Sequence, residues 1–239
     1  MISLPEELLL LAIDDTTGKI SPPEPNALNY GLAGAVLMDL LIAGRLDLAN
    51  GKLVLADAAS TGNTVLDEAA LEIGRNEKVG DARYWVNKLG RAHLKERILE
   101  RLVQRQILRR EEHRIVWVIP VDRYPTADPA PEREVRQRIR AAVLEGEVPE
   151  PRIAALIGLM KACNLTALVF TKDEQRNYGQ RIDQIAHGDA VGQAVSRAAE
   201  AAQAATQAAM TAAIAASIAS SVAASTAACS TSAGAACHS

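Results

Sequence analysis

Apolar residues recur at helical spacing in the first part of the chain. The stretch Ser3–Glu7 supplies an N-cap residue, a proline and two acids ahead of the apolar run Leu8–Ile13, and so predicts a first helix. After a proline-rich segment, apolar side chains return three and four residues apart: Leu32, Val36, Leu37, Leu40 and Leu41. These predict a second helix, which Asn26 or Asn29 opens and Gly44 ends.

Two later stretches alternate between apolar and polar residues, as strands do. Residues 45–48 and 52–55 flank Asn50-Gly51, a dipeptide that favours a tight turn, and they predict a β-hairpin. Further on, Ile107-Leu108 and residues 115–119 flank the polar segment Arg109–Arg114. This pattern predicts a second hairpin in which the polar segment is the turn.

The remaining apolar periodicity predicts five more helices. They are expected over Asp67–Gly74, Asp81–Leu89, Arg91–Leu108, Glu132–Leu144 and Pro151–Cys163. In the second of these, Tyr84 and Trp85 are expected on the packing side. Aromatic residues are only 3% of the chain, so its core must be largely Leu, Ile, Val and Ala, which favours helix over sheet. The predicted fold class is mainly α, a compact single helical domain with short β-hairpins.

The composition changes beyond residue 188. Ala, Ser and Thr dominate, no charged residue follows Glu200, and four apolar side chains lie four residues apart: Met210, Ile214, Ile218 and Val222. We therefore predict a helical domain over residues 3–188 and an Ala-rich tail over residues 189–239 that is helical or disordered. A membrane span in the tail is disfavoured, because Ala is nearly neutral for bilayer insertion.

Charge is segregated along the sequence. The formal net charge is −3, which argues against nucleic-acid binding through overall attraction, yet the segment from Arg75 to Arg114 has twelve basic and six acidic residues and is +6. Arg91 and Lys95 lie on the same side of their predicted helix as its apolar residues. The other cations of that helix are expected to face solvent: Arg97, Arg101 and Arg105. Cations beside an apolar arc predict the rim of a crevice that binds anionic head groups, and the alternative is that both side chains only cover the edge of the core.

Motifs for catalysis or metal binding are missing from the sequence. It contains no glycine-rich phosphate loop, no Cys and His cluster with metal-ligand spacing and no nucleophile elbow. Three cysteines, Cys163, Cys229 and Cys237, are an odd number without framework spacing, and the N-terminus lacks an export signal. We therefore expect a cytoplasmic, non-enzymatic protein with no catalytic residue, metal or cofactor.

Several blocks of the sequence resemble the Golgi phosphoprotein 3 family. The matching blocks are Leu4–Leu11, Gly31–Leu40, Ala43–Leu46, Thr61-Gly62-Asn63, Leu66–Ala69, Lys95-Glu96-Arg97, Leu102-Val103 and Ile107-Leu108, and the resemblance covers residues 3–185. It implies a compact helical domain. Eukaryotic members bind phosphatidylinositol 4-phosphate on Golgi membranes and hold the short cytosolic tails of glycosyltransferases.

The resemblance also implies partners and a location. A hairpin in the family contributes to self-association and membrane contact, and its equivalent here is about Leu108–Ile119. The expected partners are therefore anionic lipid head groups, cytosolic tails of membrane proteins, and a second copy bound through the hairpin or the tail. The expected location is the cytosolic face of a membrane, which is the Golgi only if the host is eukaryotic.

The family's lipid pocket is only partly matched. It uses a tryptophan, an arginine in the glycine block and two arginines on a later helix. The corresponding positions here are Pro23-Glu24, Ala33, Ala92 and Lys95. Only Lys95 keeps a cation, and Arg91 adjoins one of the lost positions. Lys95 and Arg91 are thus the predicted head-group ligands, and the lipid is either phosphatidylinositol 4-phosphate or anionic lipid in general.

A second hypothesis is a winged-helix regulator that binds nucleic acid. It rests on the predicted helix and hairpin over Arg91–Ile119. Against it, the sequence lacks a separate basic recognition helix with Asn, Gln or Arg side chains to contact bases. We therefore expect no nucleic-acid partner.

Overall fold

The structure of the chain, a computed structural model, describes residues 2–14, 17–20, 25–76, 80–115 and 119–187, without the side chains of residues 25 and 112–121. Within these ranges the chain forms helices α1 (Leu4–Leu11), α2 (Pro25–Ile42), α3 (Thr64–Arg75), α4 (Ala82–Leu89), α5 (Leu94–Gln104), α6 (Ala130–Leu144), α7 (Pro151–Ala162) and α8 (Lys172–Ala186), and strands β1 (Leu46–Ala49), β2 (Lys52–Leu55), β3 (Glu111–Ile115) and β4 (Ile119–Arg123). The strands pair as two antiparallel hairpins, β1 with β2 and β3 with β4. The predicted mainly helical fold with short hairpins is confirmed. The Ala-rich tail over residues 189–239 lies outside the described residues.

Helix α1 is completely enclosed by other elements of the fold. All eight of its residues are buried, and it packs against α2, α5, α6 and α7. The helix includes Glu6 and Glu7, which the sequence placed at its start. The Ser3 backbone N–H donates to Glu6 Oε2 at 2.7 Å, so this acid closes the first turn.

The first hairpin is confirmed. β1 pairs with β2 in a register that places Ala49 opposite Lys52. Asn50 and Gly51 both have positive φ, 52° and 76°, which is the backbone that a two-residue hairpin turn of this hand requires.

The second hairpin forms at a different place from the one predicted. Its strands are β3 and β4, so Arg114 belongs to a strand rather than a turn, and the connection lies at residues 116–118, outside the described residues. Ile107 and Leu108 do not belong to the strands of this hairpin. They follow α5 directly, and both are buried in the core. The prediction was wrong because it interpreted these two adjacent apolar residues as part of a strand, whereas they pack in the core after α5.

The predicted helix Arg91–Leu108 was also too long. Helix α5 starts at Leu94, because His93 has a left-handed backbone with φ of 52° and residues 90–93 form the turn that follows α4. Arg91 therefore lies outside α5, so the helical periodicity of α5 does not show which side Arg91 occupies.

One helix was not predicted at all. Helix α8 begins with a capping box in which the Thr171 backbone N–H donates to Glu174 Oε2 at 2.9 Å. The pattern Thr171-x-x-Glu174 followed by Ile182 and Ile185 was the available signal. None of the described helices is long and apolar enough to cross a bilayer.

Candidate functional site

The strongest candidate site lies on the exposed side of α4. Asp81 caps this helix, because its Oδ1 accepts a hydrogen bond from the Tyr84 backbone N–H at 2.8 Å. The side chain of Trp85, which belongs to the same helix, is fully buried. At the other end Gly90 lies so close to the Tyr30 ring of α2 that an added Cβ would be 2.6 Å from it. Helix α4 is therefore fixed at both ends, with one face left to solvent.

That face forms an open cavity of about 530 Å³, which we call the α4 cavity. It is lined by Asp81, Arg83, Tyr84, Asn87, Lys88 and Arg91. Three cations thus surround one acid. Arg83 and Arg91 form no ion pair with any residue that the structure describes. Tyr84, predicted to pack inward with Trp85, is instead 39% exposed, and its ring meets the Trp85 ring edge-on with centroids 5.2 Å apart.

A second cavity of about 460 Å³, which we call the α3 cavity, adjoins the first. Charged side chains face each other across it in pairs: Lys88 Nζ lies 3.0 Å from Glu72 Oε1, and Arg97 bonds to Glu68. Lys88 lines both cavities, and its ammonium also lies 4.9 Å from the centroid of the Trp85 ring. Arg75 also lines the α3 cavity and forms no ion pair with a described residue, so two of the three cations there are paired, whereas two of the three cations of the α4 cavity, Arg83 and Arg91, are not.

The two predicted head-group residues are not on one helical face. Arg91 is exposed in the turn after α4 and lines the α4 cavity. Lys95 lies in the first turn of α5, lines neither of these two cavities, and has its Nζ 3.4 Å from Glu96 Oε1. The cations that share a cavity with Arg91 are Arg83 and Lys88.

Sequence reasoning missed Arg83 and Lys88, although part of the signal was present. Tyr84, Asn87, Lys88 and Arg91 follow the spacing i, i+3, i+4 and i+7, which places residues on one side of a helix. Because the phase was instead counted from a helix starting at Arg91, this side of α4 was overlooked.

The positions that match the family's lipid pocket supply little charge. Ala33 is completely buried in α2, and Ala92 is exposed at the α3 cavity. Residues 23 and 24 lie outside the described part of the chain. Among these positions only Lys95 carries a cation, as the sequence indicated.

The cations expected to face solvent on α5 have a different role. Arg101 Nε lies 3.2 Å from Glu6 Oε1 and Arg105 Nη1 lies 3.3 Å from Glu6 Oε2, and Glu6 is buried. The prediction of a solvent-facing stripe was therefore wrong for Arg101, which is only partly exposed, whereas Arg105 is exposed as predicted although its guanidinium also contacts Glu6. It took no account of buried acids on another helix, which α5 must neutralise.

Glu7 is held in a similar way. Arg152 Nε lies 3.2 Å and Arg138 Nη2 lies 3.3 Å from its carboxylate oxygens, and Arg152 Nη1 also lies 2.7 Å from Asp39 Oδ1. Burial raises the pKa of Glu7 above its usual range even though both guanidiniums oppose this shift. These residues form what we call the arginine–carboxylate cluster: Glu6, Glu7, Asp39, Arg101, Arg105, Arg138 and Arg152.

Cys163, the cysteine within the described residues, is poorly suited to nucleophilic chemistry. It is completely buried, its Sγ lies 3.4 Å from the carbonyl oxygen of Ala27, and burial raises the pKa of its thiol to about 12. A thiol in that environment stays protonated and inert at neutral pH.

The described part of the chain is thus a helical domain in which the buried acids Glu6 and Glu7 lie against arginines, and in which Arg83, Lys88 and Arg91 line an open cavity. The sequence model of Golgi phosphoprotein 3 (GPP34) matches residues 4–202, and the chain belongs to this family. Vacuolar protein sorting-associated protein 74 of Schizosaccharomyces pombe is 29% identical to it over 171 residues, which are 62% of this chain and 50% of that protein. The chain thus spans about half the length of this curated relative.

Proposed function

We propose that the chain is a non-enzymatic adaptor that docks on the cytosolic face of a membrane by binding anionic lipid head groups. The observation that carries the proposal is the α4 cavity, where Arg83 and Arg91 have no ion-pair partner among the described residues and Lys88 stands beside them. Membership of the Golgi phosphoprotein 3 family and a relative named for vacuolar protein sorting support a role at membranes.

The chemistry of the α4 cavity suits a phosphate head group. A guanidinium donates two parallel hydrogen bonds to phosphate oxygens, and each cation near an anionic bilayer contributes roughly 1 kcal/mol of attraction. The half-exposed Tyr84 adds an amphipathic ring of the kind that lies at membrane interfaces. Because the whole chain is −3, attraction to such a surface must come from a local cluster of this kind.

Lys95 belongs to the proposed head-group surface together with Arg91. In its pair with Glu96, the acid is exposed and Lys95 is partly exposed, and surface pairs of this type are weak, so the ammonium remains available to lipid. Because Ala33 and Ala92 stand where the family has arginines, we propose anionic lipid in general as the ligand rather than phosphatidylinositol 4-phosphate alone.

The wider proposal follows the family. Cytosolic tails of membrane proteins are the proposed cargo, and self-association is proposed through the β3–β4 hairpin or the Ala-rich tail. In a eukaryotic host the membrane would be that of the Golgi. The nucleic-acid alternative is not favoured, because α5 buries its apolar side and commits Arg101 and Arg105 to Glu6, and so is not free to enter a DNA groove.

The proposal predicts that vesicle binding depends on the two unpaired arginines. Arg83→Gln combined with Arg91→Gln should weaken the affinity for phosphatidylcholine vesicles that contain phosphatidylserine, measured by sedimentation, by about thirtyfold, since two cations near the surface are lost at roughly 1 kcal/mol each. Arg91→Gln combined with Lys95→Gln tests the pair predicted from the sequence in the same way.

The matched control removes two distant cations, Arg133→Gln with Arg176→Gln on α6 and α8, and should change binding less than about twofold. A further arm replaces phosphatidylserine by phosphatidylinositol 4-phosphate at equal total charge. Binding that ignores anionic lipid content, or that falls equally in the control variant, would contradict the assignment of the site.

A further inference from the structure

Lys88 stands on the ridge between the two cavities. On the α3 side its ammonium lies 3.0 Å from Glu72 Oε1, and on the α4 side it borders the same cavity as Arg83 and Arg91. The lysine side chain is long and flexible, and its ammonium has three donors. A small rotation of the side chain therefore changes which of the two cavities the ammonium faces.

The pair of Glu72 and Lys88 is exposed enough to exchange partners. The side chains are 43% and 38% accessible, respectively, and ion pairs with this exposure contribute little to stability. An anion entering the α4 cavity therefore competes with Glu72 for the ammonium at small cost. The ammonium also lies 4.9 Å from the centroid of the Trp85 ring, so Glu72 is not the sole group that it contacts among the described residues.

We infer that Glu72 is an internal competitor of the anion site: it holds Lys88 on the α3 side and so limits the affinity of the α4 cavity for anionic head groups. This inference rests on the proposed function of the α4 cavity. It assigns to an acid on a different helix, outside the residues that line that cavity, a part in setting how strongly the protein binds a membrane.

The inference predicts a gain of binding from the loss of one acid. Glu72→Gln should strengthen sedimentation with phosphatidylserine-containing vesicles by about twofold to fivefold, the range that the loss of one exposed ion pair allows. In the background of Lys88→Gln the same substitution should produce no gain, because the ammonium through which it acts is absent.

Glu68→Gln is the matched control. Glu68 lies one turn earlier on α3, pairs with Arg97 and lines only the α3 cavity of the two. If removal of any acid near the membrane were enough to strengthen vesicle binding, Glu68→Gln would strengthen it as much as Glu72→Gln does, and the inference would be wrong. The inference would also be overturned if Glu72→Gln strengthened vesicle binding equally in the wild-type and Lys88→Gln backgrounds.

A second readout does not depend on membranes. Acetylation of Lys88 by a small amine-reactive reagent, followed by peptide mass spectrometry, should be faster in Glu72→Gln than in the wild type or in Glu68→Gln. Unchanged reactivity would show that Glu72 does not restrain the ammonium and would overturn the inference while leaving the proposed function intact. Failure of the wild type to bind any anionic vesicle, with Lys88 still released by Glu72→Gln, would overturn the proposed function and with it the competition.

Discussion

Single arginines in this protein differ in what their guanidinium groups face. Arg101 and Arg105 both contact the buried Glu6, so part of their charge is balanced by an acid inside the fold. Arg83 and Arg91 face the open α4 cavity, and no described acid pairs with them. Net charge over a segment therefore does not say which cations are available to a ligand, since that depends on where the acids of other helices are buried.

At Glu174 the environment acts on a carboxylate in the opposite direction from Glu7. Hydrogen bonds from Arg140, at 2.6 and 3.2 Å, hold the pKa of Glu174 at about 2, below the ordinary value of 4.5. A lowered pKa means that the stabilising contribution is present above pH 4.5 and is lost as the pH falls toward about 2. Glu174→Gln should therefore lower the urea midpoint at pH 7, and the difference from the wild type should shrink as the pH is lowered through this window.

The control for Glu174 is Asp173→Asn on the same helical turn. Asp173 and its partner Arg176 are both highly exposed, so this change should have a small effect on the urea midpoint. A difference between Glu174→Gln and the wild type that stays constant down to the lowest pH would rule out Arg140 as the source of stabilisation.

At the scale of elements, the crossing of α2 over α7 depends on one glycine. A Cβ at position 31 would lie 2.1 Å from Cys163 Sγ, closer than side chains approach in folded proteins. Gly31→Ala should lower the free energy of unfolding by about 1 to 3 kcal/mol, because the two helices must move apart. Urea denaturation measures this, and the loss should be smaller in the background of Cys163→Ala, where the obstructing sulfur is gone.

The matched control for Gly31 is Gly179→Ala on α8, where an added Cβ meets nothing within 4 Å. This variant should be more stable than the wild type by about 0.5 to 1 kcal/mol, because Ala is the better helix former. Equal effects at positions 31 and 179, or a Gly31→Ala loss that Cys163→Ala leaves unchanged, would show that the close approach is not what limits the crossing.

The elements themselves show how far sequence patterns reach. The β1–β2 hairpin was predictable because Asn50-Gly51 determines its turn locally, and α2 was predictable because its apolar spacing is long and regular. The start of α5 was not, because the apolar periodicity was continued through His93, whose left-handed backbone separates the turn after α4 from α5. The candidate site was affected in the same way. Arg91 was predicted as a head-group ligand from the sequence and stays a prediction, and the residues that share its cavity, Arg83 and Lys88, were not predicted because they depend on where α4 ends.

At the scale of the whole molecule, the arginine–carboxylate cluster joins α1 to α2, α5, α6 and α7. Glu6→Gln removes the charge that Arg101 and Arg105 face, while glutamine can still close the first turn of α1. Because both arginines are partly exposed, we expect a loss of roughly 2 to 3 kcal/mol in the free energy of unfolding, less than for a fully buried pair.

The cluster also predicts how the loss of stability in Glu6→Gln alters the urea unfolding curve. Urea unfolding of Glu6→Gln should remain a single transition with a lower midpoint, since α1 contacts most of the fold and cannot detach separately. The control is Glu134→Gln, an acid 71% exposed that lies 3.7 Å from Arg138, and its effect should be below about 0.5 kcal/mol. A comparable loss in both variants would contradict a special role for the buried acid.

The enclosed position of α1 has a consequence for the order in which the chain can fold during synthesis. The bond from Arg152 to the Ile2 carbonyl oxygen joins residues 150 positions apart, and the bond from Arg138 to Glu7 joins residues 131 positions apart. Helix α1 is thus among the last of the described helices to be fully enclosed, since its partners in α6 and α7 are made much later. Until then only α2, of these partners, follows closely enough to cover α1, and the leucines that face α6 and α7 stay exposed, so we expect nascent chains to need protection from aggregation until α7 has emerged.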